Sequence, residues 1–576
     1  MMEDEVKTGG EADMAAELER KGFKNYASME ENREDAEIEI RRYEKEGYVR
    51  RISLQEGRQQ YKDGTISRLG LVLKEKEGGE KKRRVVIDLR RSGGNSKSSL
   101  PEKLVLPRPV DVMRMLKEMN ARWPSRKPDD GVEFAVVDVM DAFTTLPLHR
   151  EEHRHALAPS TQEGQLLLFQ ALLFGYRTAP LLYSRFASMI ARLLQSGMDP
   201  KMACHQVYLD DSLWTLMGSL EERSSSLAMV LYTMMALKVK IALHKGERAA
   251  HVTWVGVRFS LPDKDTLVVG LPVKFLEETK AILESWSGKG MGSLKELRSL
   301  AGKTAWLSNI LPRARWVTAV LYAVMKSTEA EEDKIKKDGR VKKGLFAVNR
   351  LESARRWLVA FVDAAMAWPM RKISISTKNQ MEVRLCCDAS PEGLGAVLVI
   401  NGSPVCALAS PVDDYDVELL AIEKGASSSQ GVLEALCLLV ALKHWRKRFT
   451  GHTVTLDAQS DSMVALALSQ RLAASTPTLN WLGAEMSLAL EEAGIEVFRS
   501  VHIPGKANVE ADHLSRPSSW SKVKLPPALE PLAASIETPA VRDKDYYHLP
   551  GPTTDASLWG AAATSTGSCG TWESVI

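Results

Sequence analysis

Apolar and polar positions alternate with a period of two in "LVLKEKEGGEKKRRVVIDLR" (71–90), which predicts a hairpin. Its strands are 71–74 and 84–89, with a Gly-Gly turn and a Lys/Arg cluster at the tip. "EFAVVDVMDAFTTLPL" (133–148) opens on a short apolar run, Phe134 to Val137, that reads as a buried strand. "SLKELRSLAGKTAWLSNIL" (293–311) starts on a Ser cap and continues with helical periodicity, and the whole stretch 261–327 reads as helical. Residues 329–343 are a polar segment, a linker or an exposed helix. Strands resume at Val383 and alternate with helices to Ser515. The first 35 residues are charged and weakly patterned, which predicts a frayed helix or disorder. From 519 to 576 Pro, Ser, Thr and Ala dominate, which predicts a disordered tail. The division that follows is 36–260, 261–327, 328–380 and 381–518, an α/β and α+β multidomain chain.

A length of 576 residues leaves room for roughly three or four domains. The formal charge is only +3, so an anionic partner must meet local basic patches. The six cysteines contain no C-x-x-C pair, which argues against a zinc module and for a reducing interior. The acidic start does not read as a signal peptide, and no uncharged run approaches about 18 apolar residues. The expectation is a soluble intracellular protein, cytoplasmic or nuclear, with no membrane contact.

Against this background several acids are misplaced. "VYLDDSLW" (207–214) sets Asp210 and Asp211 side by side in a strand-forming stretch, where uncompensated burial costs many kcal/mol. Asp138 ends the apolar run at 134–137. If Asp210 and Asp211 occupy the turn of a Val207–Leu216 hairpin beside that strand, three carboxylates converge, and divalent cations stabilise such a convergence. Mg²⁺ prefers oxygen ligands, and two ions roughly 3.5–4 Å apart carry phosphoryl transfer. The plainer alternative is a turn filler and a strand-end cap. A second group lies downstream. Asp388 sits in "VRLCCDASPEGLGAVLVI" (383–400), and Glu434 interrupts the otherwise apolar helix "QGVLEALCLLVALKHW" (430–445). Asp461 stands at a strand–helix junction in "DAQSDSMVALAL" (457–468). In "VHIPGKANVEADHLSR" (501–516) Asn508 reads as an N-cap and Asp512 lies one turn into a helix. Asp457 rivals Asp461, and Glu418 rivals Glu434. The acidic insert "DDYDVELLAIEKG" (413–425) has no reading from sequence.

The first group resembles a reverse transcriptase. "VVDVMDAFTTLPL" and "YLDD" resemble its two catalytic motifs, "LFGYRTAPLLYSRF" (173–186) its nucleotide-pocket motif, and "LHKGE" (243–247) its lysine motif. "VTWVGVRF" (252–259) resembles its primer-grip hairpin and "RRVVIDLRR" (83–91) its fingers motif. Leu173 and Leu89 depart from the usual proline and aromatic. The resemblance implies a right-hand polymerase with fingers and palm in 36–260, a thumb in 261–327 and a connection in 328–380. It implies that Asp138, Asp210 and Asp211, with the carbonyl of Val139, hold metal. It further implies that Arg84, Lys74 or Lys76, Phe143, Phe174, Gly175 and Lys245 meet the deoxynucleotide triphosphate, Phe143 disfavouring a 2′-hydroxyl and Lys245 donating a proton. By the same resemblance Trp254, Val255 and Gly256 would form the primer grip, and Lys295, Arg298, Lys303, Arg313 and Arg315 could follow the nucleic-acid backbone. Core packing for Phe143, and solvation for the basic residues, are the plainer readings.

The second group is similar to ribonuclease H, which implies an RNase H-like mixed-sheet domain over 381–518. Asp388, Glu434, Asp461 and Asp512 would be its metal ligands, with His502 assisting product release or serving as a loop histidine. The order of the two domains, and "ADHLSR", resemble gypsy-like and DIRS-type retrotransposon pol proteins. The resemblance implies two Mg²⁺ ions per site, with Mn²⁺ as a substitute. Its implied partners are RNA template, DNA primer, RNA–DNA hybrid and other retroelement proteins. A catalytically decayed or co-opted remnant that binds nucleic acid is the alternative.

Overall fold

The computed structural model describes residues 19–552, apart from 21, 23, 62–63, 76–80, 124–126, 128, 338–343, 368–370, 376–379, 451, 496, 521–522 and 550. The expectations for residues 1–18, the Gly-Gly turn, Lys76 and residues 553–576 lie outside these. The chain divides into two compact units, one of residues 1–107 and 122–255, the other of residues 108–121 and 256–576. No described helix is long and apolar enough to cross a membrane.

In the first unit, helix α1 (Arg33–Lys45) buries Ala36, Ile40 and Tyr43. Strand β1 (Val49–Ser53) follows, then the hairpin of β2 (Leu69–Glu75) and β3 (Lys81–Ile87) with Leu71 opposite Val85. Period-two alternation buries Leu69, Leu71, Val85 and Ile87 and turns Lys74 and Arg84 outwards. The expected hairpin is therefore present. The central strand β4 (Gly131–Asp138) comes next, followed by β5 (Leu157–Pro159) and β6 (Gln165–Phe169), which form a small sheet in the order β1-β6-β5. Helix α2 (Ala179–Ser196) leads to β7 (Ala203–Tyr208) and β8 (Asp211–Gly218); α3 (Leu220–Ala236), β9 (Glu247–Ala249) and β10 (His251–Trp254) close the unit. The sheet β7-β8-β4-β9 buries Ala135, Val137, Trp214 and Leu216 against Leu194 of α2 and Val230 and Met234 of α3. A Ser219–Glu222 capping box starts α3.

Besides the helical segment at 109–121, the second unit contains a hairpin, β11 (Val257–Asp263) and β12 (Thr266–Gly270), where sequence periodicity suggested helix from 261. The reason is local: Phe259, Leu261, Leu267 and Val269 alternate to one buried face around a short polar turn. Helix α4 (Val273–Ser285), β13 (Met291–Ser293), α5 (Leu294–Ile310) and α6 (Arg315–Lys337) follow, so the polar segment from 329 to 337 continues a helix. Ser293 precedes α5 as expected, but its side chain makes no capping bond. Then come β14 (Leu345–Ala347), α7 (Glu352–Ala367) and β15 (Arg371–Ser374), which pairs with β12.

The remaining sheet contains β16 (Gln380–Ala389), β17 (Gly393–Ile400) and β18 (Ser403–Pro411) as an antiparallel meander. Helices α8 (Asp414–Leu419) and α9 (Ser427–Trp445) lead to β19 (Thr453–Ser460), which pairs parallel with β16. Then follow α10 (Met463–Arg471), α11 (Pro477–Glu492), β20 (Val497–His502), parallel to β19, and α12 (Val509–Ser515). A two-residue strand, β21 (Ile536–Glu537), pairs parallel with β18, which makes the order β20-β19-β16-β17-β18-β21. This is the mixed sheet that the sequence implied. Helix α9 is buried along most of its length against it.

One further expectation is corrected here. Among the described residues the tail is structured from 523 to 549: Leu529 is fully buried, and Arg542 and Tyr547 are buried too. The uninterpreted insert explains why. Asp416 of α8, wholly buried, accepts hydrogen bonds from the Arg542 guanidinium and the Tyr547 hydroxyl; Arg542 also donates to Ser410 Oγ (2.8 Å) and the Pro411 carbonyl (2.7 Å). Nearby, Lys443 of α9 pairs with buried Glu485 at 3.1 Å, and Glu485 accepts from the backbone N–H groups of His548 and Leu549. Composition alone predicted disorder because only a few anchoring side chains hold the segment. Removing one partner of a buried pair strands the other, at a cost of about 3–5 kcal/mol. Arg542→Ala should therefore raise amide exchange along β19, measured by hydrogen–deuterium exchange, while the β4–β8 ladder exchanges as in the parent protein. Unchanged exchange in β19 would mean that the strap is not part of the domain's stability.

Candidate active sites

The hairpin β7–β8 turns through Leu209 and Asp210, with Tyr208 directly opposite Asp211. Leu209 has φ of +54°, a left-handed conformation costly for a branched side chain, of order 1–3 kcal/mol. It is held there by apolar neighbours that include Phe143, Tyr183 and Phe186. On the other side of β8, Asp211 pairs in register with Asp138 of β4, and the Val139 N–H donates to the Asp210 carbonyl at 2.9 Å. The three acids thus meet at one end of the sheet. Burial, then the charges of Asp210 and Asp138, push the Asp211 carboxyl up to about 6; burial first and Asp138 next raise Asp210 as well. Asp211 Oδ1 is buried without a hydrogen-bond partner, an orphaned acceptor that a cation would satisfy. Lys245 Nζ contacts both Asp138 oxygens, at 2.8 and 2.9 Å.

An aromatic series runs outward from these acids. Phe143 meets Tyr183 edge-on at 5.6 Å and Phe174 at 4.9 Å, and the Arg84 guanidinium lies 5.3 Å from the Phe174 ring centre. Arg84 is exposed on β3, and Lys74 faces the same way on β2, opposite Lys82. Gly175 has φ of +120°, and a Cβ there would lie 2.0 Å from the Ile87 carbonyl oxygen, so only glycine fits between the pocket segment and β3. Leu173 and Leu89, where the resembled motifs carry proline and an aromatic, are buried core residues. Trp254 is fully buried; its indole N–H donates to the Asp211 carbonyl at 3.3 Å and it meets Tyr208 edge-on. It supports the acid-bearing hairpin from beneath, while Val255 and Gly256 turn the chain with φ of +48° and +73°.

Among the described residues one group of acids can present three ligand atoms all within 4.8 Å of one another: Asp388, Glu434 and Asp461. Asp388 ends β16, Glu434 projects from α9, and Asp461 follows β19 directly, where Ser462 caps α10 by accepting from the Ala465 N–H. The rivals are placed elsewhere. Asp457 is engaged by Arg499 at 2.6 and 3.0 Å, and Glu418 is exposed on α8. Asp512, on α12, pairs with Arg516 at 2.8 Å and lies near enough to Asp388 to raise its pKa. His502 is exposed and sits opposite Ser460 in the sheet. Burial chiefly, together with neighbouring acids, brings Asp388 to about 6 and Glu434 to about 8.

Several supporting residues had no signal in the sequence beyond being polar. Ser515 Oγ donates to Asp388 at 2.6 Å. Gln430 Nε2 bridges the Ala389 carbonyl (2.7 Å) and Glu434 Oε1 (3.0 Å). Asn508 does precede α12, but its side-chain amide donates to the Cys387 carbonyl at 2.9 Å and does not cap the helix. Gly505 packs so closely that a Cβ would stand 2.8 Å from Asp461 Oδ2. Of the basic residues expected to follow a backbone, Arg313 is spent on Glu491 and the Ile495 carbonyl and Arg315 on the Gln470 carbonyl. Arg298 pairs with Glu329 and Lys303 with Glu278, and Lys295 is exposed.

Comparison with known proteins agrees with the resemblance read from the motifs. No family model matches the chain. A retrovirus-related Pol polyprotein from transposon 297 of Drosophila melanogaster is 23% identical over 454 residues, covering 76% of this chain and 35% of the polyprotein. The chain thus spans about a third of the length of that relative, and it is similar to a transposon Pol polyprotein. Among solved structures, the foamy viral protease-reverse transcriptase in complex with dsDNA aligns with a TM-score of 0.45 and 16% identity, over 84% of each chain. The same viral protein with RNA/DNA hybrid aligns at 0.42 and 15%, over 82% of this chain and 54% of that one.

The raised Glu434 carboxyl has a thermodynamic consequence. Between the ordinary value of 4.5 and about 8, the folded protein holds a proton that the unfolded chain has lost, so stability falls as pH rises through that interval. Glu434→Gln should raise the melting temperature of the metal-free protein at pH 8, and the gain should vanish near pH 4. Scanning calorimetry across this range checks it; a gain independent of pH would contradict the assignment of burial and charge at Glu434.

Proposed function

We propose that this chain is an RNA-directed DNA polymerase that also cuts the RNA strand of an RNA–DNA hybrid. The observation that carries the reading is the presence, in separate units of one chain, of two carboxylate clusters mounted on regular sheets. At each, divalent ions such as Mg²⁺ would activate the attacking oxygen and stabilise the leaving one. Asp138, Asp210 and Asp211, with the Val139 carbonyl, hold the ions for polymerisation. Asp388, Glu434, Asp461 and Asp512 hold them for hydrolysis, and His502, exposed beside that group, aids release of the cut strand.

In polymerisation the primer 3′-hydroxyl attacks the α-phosphorus of a deoxynucleotide triphosphate and pyrophosphate leaves. Arg84 and Lys74 meet the triphosphate, a positioning role suited to phosphoryl transfer. Phe143, wedged between Phe174 and Tyr183, crowds the 2′ position of the sugar, and Gly175 lets the backbone approach the nucleotide. Val255 and Gly256 form the turn that faces the primer terminus. In hydrolysis Gln430 and Ser515 fix Glu434 and Asp388, so that the acids keep their places while the attacking water changes its proton count.

The test uses the full chain with an RNA template, a DNA primer and Mg²⁺, and reads deoxynucleotide incorporation and RNA cutting in the same tube. Asp210→Asn should abolish incorporation, by about 10³-fold or more, and spare cutting; Glu434→Gln should do the reverse. With ribonucleotides offered, Phe143→Ala should raise their incorporation relative to deoxynucleotides. Binding of hybrid without either activity in the parent protein, in Mg²⁺ or Mn²⁺, would identify a nucleic-acid-binding remnant in place of an enzyme.

A further inference from the structure

We propose that the Lys245 ammonium is the resident cation of the Asp138–Asp210–Asp211 cluster in the metal-free protein, and that a divalent ion must displace it from Asp138 to bind. This rests on the reading of that cluster as a metal site. Lys245 Nζ lies 2.8 and 2.9 Å from the two Asp138 oxygens, so it occupies both atoms that Asp138 would offer a metal. The contact is built into the fold. Lys245 ends a short turn, Leu243–Lys245, anchored by the Ala242 N–H donating to the carbonyl of Asp138 itself at 2.9 Å. Two residues on, β9 pairs with β4, placing Glu247 opposite Val136. The lysine therefore sits in the turn that enters β9, the strand paired with its partner's strand β4, and little freedom is lost in forming the pair. Its charge acts also on Asp210 and Asp211, lowering both against the burial that raises them.

The pair is half-exposed, with 38% of the lysine and 26% of the aspartate side chain accessible, so the contact is weak enough to be exchanged. A divalent ion held by three carboxylates attracts them more strongly than one ammonium does. In the nuclease cluster Asp388 and Glu434 meet the neutral donors Ser515 and Gln430, and the cation present, Arg516, is paired with Asp512. Metal entry at the first site should thus require the exchange of a cation.

Mn²⁺ binding to the full chain tests this, with the nuclease cluster silenced by Asp388→Asn and Glu434→Gln and free Mn²⁺ read by electron paramagnetic resonance. In that background Lys245→Met should tighten binding, roughly three- to tenfold, while Lys245→Arg, which keeps the charge, should stay within about twofold of the parent. Acetylation of Lys245 by an amine-reactive ester, followed by mass spectrometry, should rise when Mn²⁺ is added and should not rise in Asp210→Asn. If Asp210→Asn abolishes Mn²⁺ binding but Lys245→Met leaves it unchanged or weaker, the displacement idea is overturned and the functional reading stands. If Asp210→Asn binds Mn²⁺ as well as its parent, both fall.

Discussion

Like charges brought together inside a protein repel, and each cluster of acids here must answer that repulsion. Two carboxylates 4.8 Å apart, the limit within which Asp388, Glu434 and Asp461 present their oxygens, oppose each other by roughly 3–4 kcal/mol at an effective dielectric of about 20. Burial adds a desolvation penalty to each. The cluster of Asp138, Asp210 and Asp211 answers with the Lys245 ammonium, and the cluster of Asp388, Glu434, Asp461 and Asp512 with the donors Ser515 and Gln430, the Arg516 guanidinium on Asp512, and carboxyls of Glu434 and Asp388 pushed above their usual range. Neither answer would be needed by a domain that required only a core. The arrangement therefore costs stability in the absence of a cation, and a bound cation would relieve it.

That cost is sustained by rigid surroundings. β4 and β8 run in unbroken register from Gly131–Gly218 to Asp138–Asp211, which fixes the acids against each other through backbone bonds. The strained Leu209 turn survives because Trp254 supports the hairpin below and the aromatic cluster holds it above. In the six-stranded sheet Asp388, Asp461 and Glu434 come from two parallel neighbours and the buried helix packed on them, and the strap bonded to Asp416 and Glu485 clamps that layer.

Much of this was legible in the sequence because acids in apolar strands violate an otherwise simple pattern. The hairpin at Asp210–Asp211 and its neighbour strand at Asp138 could be read from where apolar runs break, and Asp461 from the strand–helix junction that carries it. Three kinds of feature could not. The β11–β12 hairpin was hidden because two short strands sit directly before a long helical stretch, and the helical period dominated. The strap at 523–549 was hidden because composition averages over a segment whose hold depends on Leu529, Arg542 and Tyr547. Contacts such as Gln430 with Glu434 and Ser515 with Asp388 were hidden because nothing in a lone polar residue tells whether it faces solvent or a carboxylate. Lys443 failed the same way: a lysine on a helix reads as surface, and this one is buried against Glu485.

The central claim is that both clusters are cation sites created by convergent carboxylates. Crystals of the protein soaked in Mn²⁺ and measured at the manganese absorption edge test it most directly. The account requires anomalous peaks at two places, one among Asp138, Asp210 and Asp211 with Lys245 moved away from Asp138, and one among Asp388, Glu434 and Asp461. Peaks at neither place, with Lys245 still on Asp138 at saturating Mn²⁺ and a pH above 8, would contradict it.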